Sequence, residues 1–579
     1  MPRCLLPAIL ALCVVFAVAL SAQSKPSAPH TFNVRDFGAS GNGTSLDTAA
    51  IRSAVRAVAD SGGGTLVFPA GRYLTGTFEL LSNVTLDLQP GAVISGSKDI
   101  RDYGKIGDYG LDKNYGVSSS GEGELVGIIV ARNAENIAIV GRGVIDGNGD
   151  DFMDLREPHV AADFDAEYVR RPEAFSRAVR DIEYGPVEPK LHGAGRPGTM
   201  IIFMNCRNVL VRDVTLRNAP NWTLHLQQTE QAVITGLHIV NNPLIPNNDG
   251  IDCMGCRHVH VSDCDIRTGD DDFAIVNSEH VNVTNCSMSS RSSAIRLEAT
   301  KFSTFENLSI ESNRGIGVFH RGGETTDSVL FSNITMRTEL MAGHWWGKAE
   351  PIYVAVSPCS KAKCEGGVRN VTFSNITAEA ESGMLILGAP GGPVENLTLE
   401  GIQLHIRAPR PALANSVGGN FDLRWTATRI QDGIFRHDIP AVYCRHVSGL
   451  KIHGLQLQWG NNLPEYFSDG VYCEDFRDIS VEGFEGRQSQ DESGAALAFA
   501  NGTAISINTS KALPGTNTFL RLSNVTERRL GDLDLAAAKR AVVTDTPVAR
   551  SGAMKQPTAR PRAARKHRHS ARSSGPAAK

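Results

Sequence analysis

The chain has 579 residues, 57 of them glycine, with aromatic residues at 6% and a formal net charge of −4. That length exceeds one ordinary compact domain but suits a solenoid, in which units are added end to end. No nucleic-acid partner is expected from this charge balance, and no Cys or His spacing reads as a zinc site.

Residues 1–22 read as a secretory signal peptide. Arg3 precedes an apolar stretch that ends in Ala-Leu-Ser-Ala, too short for a comfortable membrane span and followed at once by a polar, Pro-containing segment. The mature protein is therefore expected to be secreted, extracellular or periplasmic, with no integral membrane segment after cleavage. Cleavage removes Cys4 and Cys13 of the 11 cysteines and leaves nine, so at least one stays without an intrachain partner. Cys264 and Cys286 hold one repeat position on neighbouring units and are expected to be stacked, buried thiols. Cys359 and Cys364 close a small loop that a disulfide can bridge.

From residue 31 to about 530 a phrase of the form apolar-x-apolar-x-x-apolar/Cys-x-apolar recurs. It begins at Val209, Val233, Val259 and Val281, spaced 24, 26 and 22 residues, and again at Val329, Val371, Leu397, Leu450 and Ile479. Three short strands per coil fit that period, and stacked coils bury their apolar faces only against each other. The fold expected is all-β, a single-stranded right-handed parallel β-helix. Asn-x-Thr/Ser triplets such as those at Asn333 and Asn370 fall on the phrase itself, which makes them coil-turn asparagines rather than glycosylation sites. Insertions are expected near 148–200, with a helix-like stretch at 173–179, and near 339–366, where Trp345 and Trp346 are candidates for stacking on a pyranose face. Trp222 is a weaker candidate of the same kind. The segment 549–579 reads as a disordered basic tail. It holds nine Lys/Arg and no acid, so the remainder carries −4 − 9 = −13.

The chemistry concentrates in two acidic runs, each entering a short apolar segment. Asn247-Asn248-Asp249-Gly250-Ile251-Asp252 is followed 22 residues later by Gly269-Asp270-Asp271-Asp272-Phe273. One repeat of 22 residues sets Asp249 beside Asp271, with Asp270 and Asp272 close by. Crowded carboxylates repel, which raises some of their pKa values, as general-acid attack on a glycosidic bond requires.

The opening Phe32-Asn33-Val34-Arg35-Asp36-Phe37-Gly38-Ala39, the stretch Gly62-Gly63-Gly64-Thr65-Leu66-Val67-Phe68-Pro69, and Gly141-Arg142-Gly143-Val144-Ile145-Asp146-Gly147 resemble pectin-degrading β-helix enzymes. Together with Asn248-Asp249-Gly250 and Gly269-Asp270-Asp271, the chain is similar to family 28 of the glycoside hydrolases, the polygalacturonase-like proteins, as a divergent and bacterial-type member. The resemblance implies an inverting hydrolase without a cofactor or metal. In it Asp270 is the general acid, and Asp249 and Asp271 hold and activate the attacking water. Two coils plus side-chain divergence are expected to reach the roughly 6.5–9.5 Å of inverting pairs. Asp272 stands where the family has a small or apolar residue, and is taken as a substrate-side group that acts on a neighbour's pKa. The family's Gly-His-Gly is replaced by Ser290-Arg291-Ser292. Its Arg-Ile-Lys carboxylate clamp is absent from Arg314-Gly315-Ile316-Gly317-Val318-Phe319-His320-Arg321. Arg291, Arg296, His320 and Arg321 are the candidates to replace that clamp, because an Arg fork suits a carboxylate.

The function expected is cleavage of galacturonan- or rhamnogalacturonan-type pectic polysaccharides or oligosaccharides, exo action included. Two alternatives stay open on sequence: a polysaccharide lyase with Ca²⁺ held by Asp270, Asp271 and Asp272, and a non-catalytic carbohydrate-binding or surface-adhesion β-helix. The sugar at the cleaved position and the oligomeric state are not encoded in any motif.

Overall fold

The structure is a computed structural model that describes residues 30–110, 125–158, 189–191, 195–341, 346–357, 366–392, 394–416, 418–422, 439–489 and 494–545. The expected signal peptide, the stretch 173–179, Trp345, Cys359, Cys364 and the basic tail lie outside the described residues.

Helix α1 (Thr48–Asp60) sits at the N-terminal end of the solenoid. Its buried residues Ile51, Ala54, Val55 and Val58 recur at helical spacing and join the same apolar cluster as Val34 and Leu66. An amphipathic stripe of this kind covers the open end of a coil stack that would otherwise leave apolar surface in water. Among the described residues no helix is long and apolar enough to cross a membrane.

Beyond it every ladder of the main sheet is parallel. The rungs around the acidic runs are β1 (Ile251–Met254), β2 (Asp265–Thr268), β3 (Phe273–Val276), β4 (Ser287–Glu298), β5 (Lys301–His320) and β6 (Ile352–Val356). Ile251 pairs with Phe273, Phe273 with Ile295, Ile295 with Ile316, and Ile316 with Ile352. Each strand thus pairs with its counterpart one turn on, which is the connectivity of a parallel β-helix. Alternate residues point inward and form a continuous core of Val, Ile, Leu and Cys. A stack of Phe305, Phe331 and Phe373 runs along it, with ring centroids 5.0 Å apart at each step.

The register corrects the repeat phrase in one coil. Val209 pairs with Ala232, not Val233, and Ala232 pairs with Val259. Val233 points outward and is 42% exposed. A small alanine holds the inward place there, so the larger valine beside it misleads a reading based on hydrophobicity. A further copy begins at buried Ser303, which pairs with Val329. The ladder also continues past residue 530, since Thr516–Leu530 pairs with Ala538–Asp545.

The coil turns fall where asparagine was read. Asn333 and Asn370 both have φ of 54°, the left-handed region that Asn tolerates. Their side chains stack as amide ladders, with Asn375 Nδ2 donating to Asn333 Oδ1 at 2.7 Å. Cys206, Cys253, Cys256, Cys264, Cys286, Cys444 and Cys473 are all buried free thiols.

The insertions differ from expectation in two ways. The segment 339–366 is not one loop, because β6 within it pairs into the ladder. Another excursion, between Thr398–Ile406 and Val442–Arg445, carries helix α2 (Pro411–Ser416) and returns residues 418–422 to the β-helix. Near residue 148 the chain leaves the main sheet, and Met153–Pro158 pairs antiparallel with Pro189–Leu191.

Candidate active site

The two acidic runs occupy the same turn on adjacent coils, immediately before β1 and β3. Gly250 N–H donates to Asp271 O and Ile251 N–H to Asp272 O, each at 2.9 Å, which fixes Asp249 opposite Asp271. Glycine is required on both coils. A Cβ on Gly250 would come within 2.5 Å of Asp272 O, and one on Gly269 within 2.6 Å of Ile245 O. Asn248 then ties the turns together, its Oδ1 accepting from Gly269 N–H at 2.7 Å.

This packing brings Asp249, Asp270 and Asp271 into one cluster, with one oxygen of each within 4.8 Å of the others. That is the closest approach of single oxygens, a different quantity from the carboxyl-to-carboxyl separation expected of an inverting pair. The acids sit at the turn, where the backbones are hydrogen-bonded neighbours and the side chains converge rather than diverge. A triangle of that edge has its centre at most about 2.8 Å from each corner, the length of a hydrogen bond to water. The cluster can thus hold a water molecule among three carboxyls. The same three oxygens are the group that could hold a metal ion, which differs from the Asp270, Asp271, Asp272 set considered on sequence. Asp272 is fully buried and turned away, its Oδ1 lying 2.8 Å from Thr268 Oγ1.

Burial and mutual repulsion govern the charges. Burial, then Asp270, Asp252 and Asp271, hold the Asp249 carboxyl well above the usual range. Burial also raises Asp270, opposed by the Ser292 hydroxyl and Arg296. Burial and the neighbouring Asp270 push Asp271 to about 7, with Arg296 pulling the other way. Asn247 Nδ2 donates to Asp270 Oδ2 at 3.3 Å. Oδ1 of Asp249, Asp270 and Asp271 is buried without a hydrogen-bond partner, and such groups mark a place where a further polar molecule belongs. Acids kept protonated near neutral pH beside others able to ionise are what acid–base hydrolysis uses.

The basic candidates separate. Arg296 projects from β4 next to the cluster, its Nε 4.0 Å from Asp271 Oδ2 and its Nη2 3.6 Å from Glu298 Oε2. Arg321 is clasped by Glu298, with Nη2 at 2.7 Å from Oε2 and Nε at 3.1 and 3.0 Å from the two oxygens. It is a partner of Glu298 rather than a member of the acid cluster. Arg291 lines a different groove with Thr268 and Ser290, behind the turn that carries Asp270. His320 is 1% exposed, with neither ring nitrogen hydrogen-bonded, and pairs in register with Val356 at the far end of β5. Trp346 reaches the site through its backbone, donating its N–H to Ser292 Oγ at 3.1 Å. Trp222 is buried edge-on against His225, with centroids 5.2 Å apart.

Sequence reading missed several groups. Asp252 lies in ladder register with His225, Ala274 and Arg296, is fully buried, and has neither oxygen hydrogen-bonded. Burial and Asp271 hold it well above the usual carboxylate range, and Arg296 opposes them. The 22-residue spacing of 252, 274 and 296 was available as a signal. Burial pushes the His225 imidazole down to about 3, so it is a neutral group. Arg314 is fully buried, with Nη2 2.7 Å from Asp422 Oδ2, Nε 3.7 Å from Glu350 Oε2 and its guanidinium 4.3 Å from the centre of the Tyr353 ring. Asp422 comes from the 407–441 excursion, which no motif announced.

Residues 190–416 match glycosyl hydrolases family 28, and residues 31–148 match the rhamnogalacturonase A/epimerase, pectate lyase-like family. Within residues 190–416 the chain is similar to glycosyl hydrolases family 28, through distant relatives. Over 256 residues it is 28% identical to a probable polygalacturonase of Vitis vinifera, spanning 42% of this chain and 44% of that one. It is also 28% identical over 260 residues to an exo-poly-alpha-D-galacturonosidase of Dickeya chrysanthemi, spanning 42% and 41%. The chain thus matches less than half the length of each of these two relatives. The solved family 28 exopolygalacturonase of Yersinia enterocolitica shares the fold, with a TM-score of 0.53 at 18% identity and 78% of each chain covered. The similarity to family 28 and the acid cluster fall on the same segment, since Asp249, Asp270 and Asp271 all lie within 190–416.

Proposed function

We propose that this protein is a secreted glycoside hydrolase of pectic polysaccharides or oligosaccharides, working by acid–base catalysis without a cofactor. The observation that carries the proposal is the triangle of Asp249, Asp270 and Asp271, buried, with oxygens within 4.8 Å of each other. Asp270 protonates the glycosidic oxygen. Asp249 and Asp271 orient a water between them, and Asp271 takes its proton as it attacks the anomeric carbon. The bond from that carbon to the leaving oxygen breaks, the bond to water forms, and the cluster ends one proton exchange from its starting state. Arg296, the guanidinium nearest Asp271, both moderates that carboxyl and offers a cation at the sugar position.

The test is product release from polygalacturonate, rhamnogalacturonan and their oligosaccharides, with and without EDTA. A hydrolase yields new reducing ends that EDTA does not suppress. Ultraviolet-absorbing unsaturated ends that require calcium would replace this reading with a lyase, and binding without any product would replace it with a non-catalytic β-helix.

A further inference from the structure

A groove of about 360 Å³ lies on the outer face of β2 and its neighbours, separate from the acid triangle. Its floor is one outward column of the ladder. Arg267 pairs with Ser289, Ser289 with Glu311, and Glu311 with Arg337. Successive rungs are about 4.8 Å apart, close to the length of one sugar residue in a chain. Leu244 and Met341 supply apolar edges suited to the C–H face of a pyranose.

The charges in this groove are unequal in what they have left to give. Glu311 lies 4.0 Å from Arg337, whose Nε also reaches Glu379 at 3.3 Å, and Glu339 is engaged by Arg407 at 2.5 Å. Arg267 is exposed, and among the described residues no carboxylate lies within ion-pair distance of it. Arg291, 7% exposed, adds a second guanidinium to the wall. The groove lining holds three guanidiniums, Arg267, Arg291 and Arg337, against the two carboxylates Glu311 and Glu339, and Arg267 stands at its β2 end.

The groove is also back to back with the reaction centre. The hydroxyls of Thr268 and Ser290, both in its wall, donate to the Asp270 carbonyl oxygen at 2.5 Å each. A saccharide seated here lies one turn of backbone away from the acid that would cleave another part of the same polymer.

We propose that this groove is a second saccharide site that takes a uronate-bearing stretch of polymer, with Arg267 as the ligand of its carboxylate. The site rests on the hydrolase reading for its choice of polymer, but its occupancy does not depend on turnover. The test uses an Asp270→Asn background, so that ligand is not consumed, and titrates trigalacturonate and neutral galactotriose calorimetrically. Trigalacturonate is expected to bind at two sites, and Arg267→Gln to weaken one of them fivefold or more while the melting temperature holds. Galactotriose binding is expected to be indifferent to Arg267. A single trigalacturonate site, or a change of less than fivefold on Arg267→Gln, would overturn the proposal. Arg267-dependent binding in a protein whose wild type releases no products would remove the hydrolase reading and leave this site standing. Hydrolysis by wild type with Arg267-independent binding would do the reverse.

Discussion

Arg296 Nε stands 4.0 Å from Asp271 Oδ2, and its Nη2 lies 3.6 Å from Glu298 Oε2. One guanidinium is thus shared between the acid cluster and a carboxylate that also holds Arg321. The cation opposes the burial and the Asp270 charge that push Asp271 up. Arg296→Gln is therefore expected to raise the Asp271 pKa further above 7. If Asp271 must be ionised to activate water, the acid limb of the pH–rate profile moves to higher pH. Below that limb activity falls about tenfold per pH unit. An unmoved limb would mean that Arg296 does not act on the base.

Asp271 also links pH to stability. Its pKa of about 7 in the folded protein exceeds the roughly 3.9 of an unfolded chain, so the folded state binds the proton more tightly. Its contribution is most favourable below about pH 4 and is lost as pH rises through 7. Asp271→Asn is expected to match wild type in thermal stability at pH 4. At pH 8 it should exceed wild type by on the order of a few kcal/mol. Equal melting temperatures at both pH values would contradict the burial argument.

Much of this was legible because a solenoid writes its structure as a period. The 22-residue interval between Asp249 and Asp271 survives in the register without a shift, and Asn333 and Asn370 sit at the turns where the phrase puts them. What the period could not carry was side-chain direction at the turn, where one oxygen of each of the three acids converges. Nor could it report small residues at inward places, such as Ala232 and Ser303. Long-range returns of the chain were least legible of all. Asp422 lies 108 residues from Arg314, and only the folded excursion brings them together.

That buried pair gives a separate prediction. Asp422 Oδ2 is 2.7 Å from Arg314 and also accepts from Gly347 N–H at 2.8 Å. Asp422→Ala leaves a fully buried guanidinium with one carboxylate fewer, and is expected to cost about 3–5 kcal/mol of stability. Replacing both partners with apolar residues, as in Arg314→Met with Asp422→Leu, should recover most of that loss. Chemical denaturation of the single and double variants measures it.

The triangle of acids predicts stereochemistry. A water held among Asp249, Asp270 and Asp271 is placed by the protein before the bond breaks, so no covalent sugar–enzyme intermediate is needed. The first-formed product should carry the inverted anomeric configuration in a proton NMR time course. Retention would mean that one of the three carboxylates attacks the sugar directly.

The most direct measurement compares wild type with Asp270→Asn on whichever pectic substrate the wild type degrades. The expected result is a loss of reducing-end release of about 10²- to 10⁴-fold, with the melting temperature retained and EDTA without effect. Undiminished product release by Asp270→Asn would contradict the assignment of the general acid, and with it the role given to the whole acid cluster.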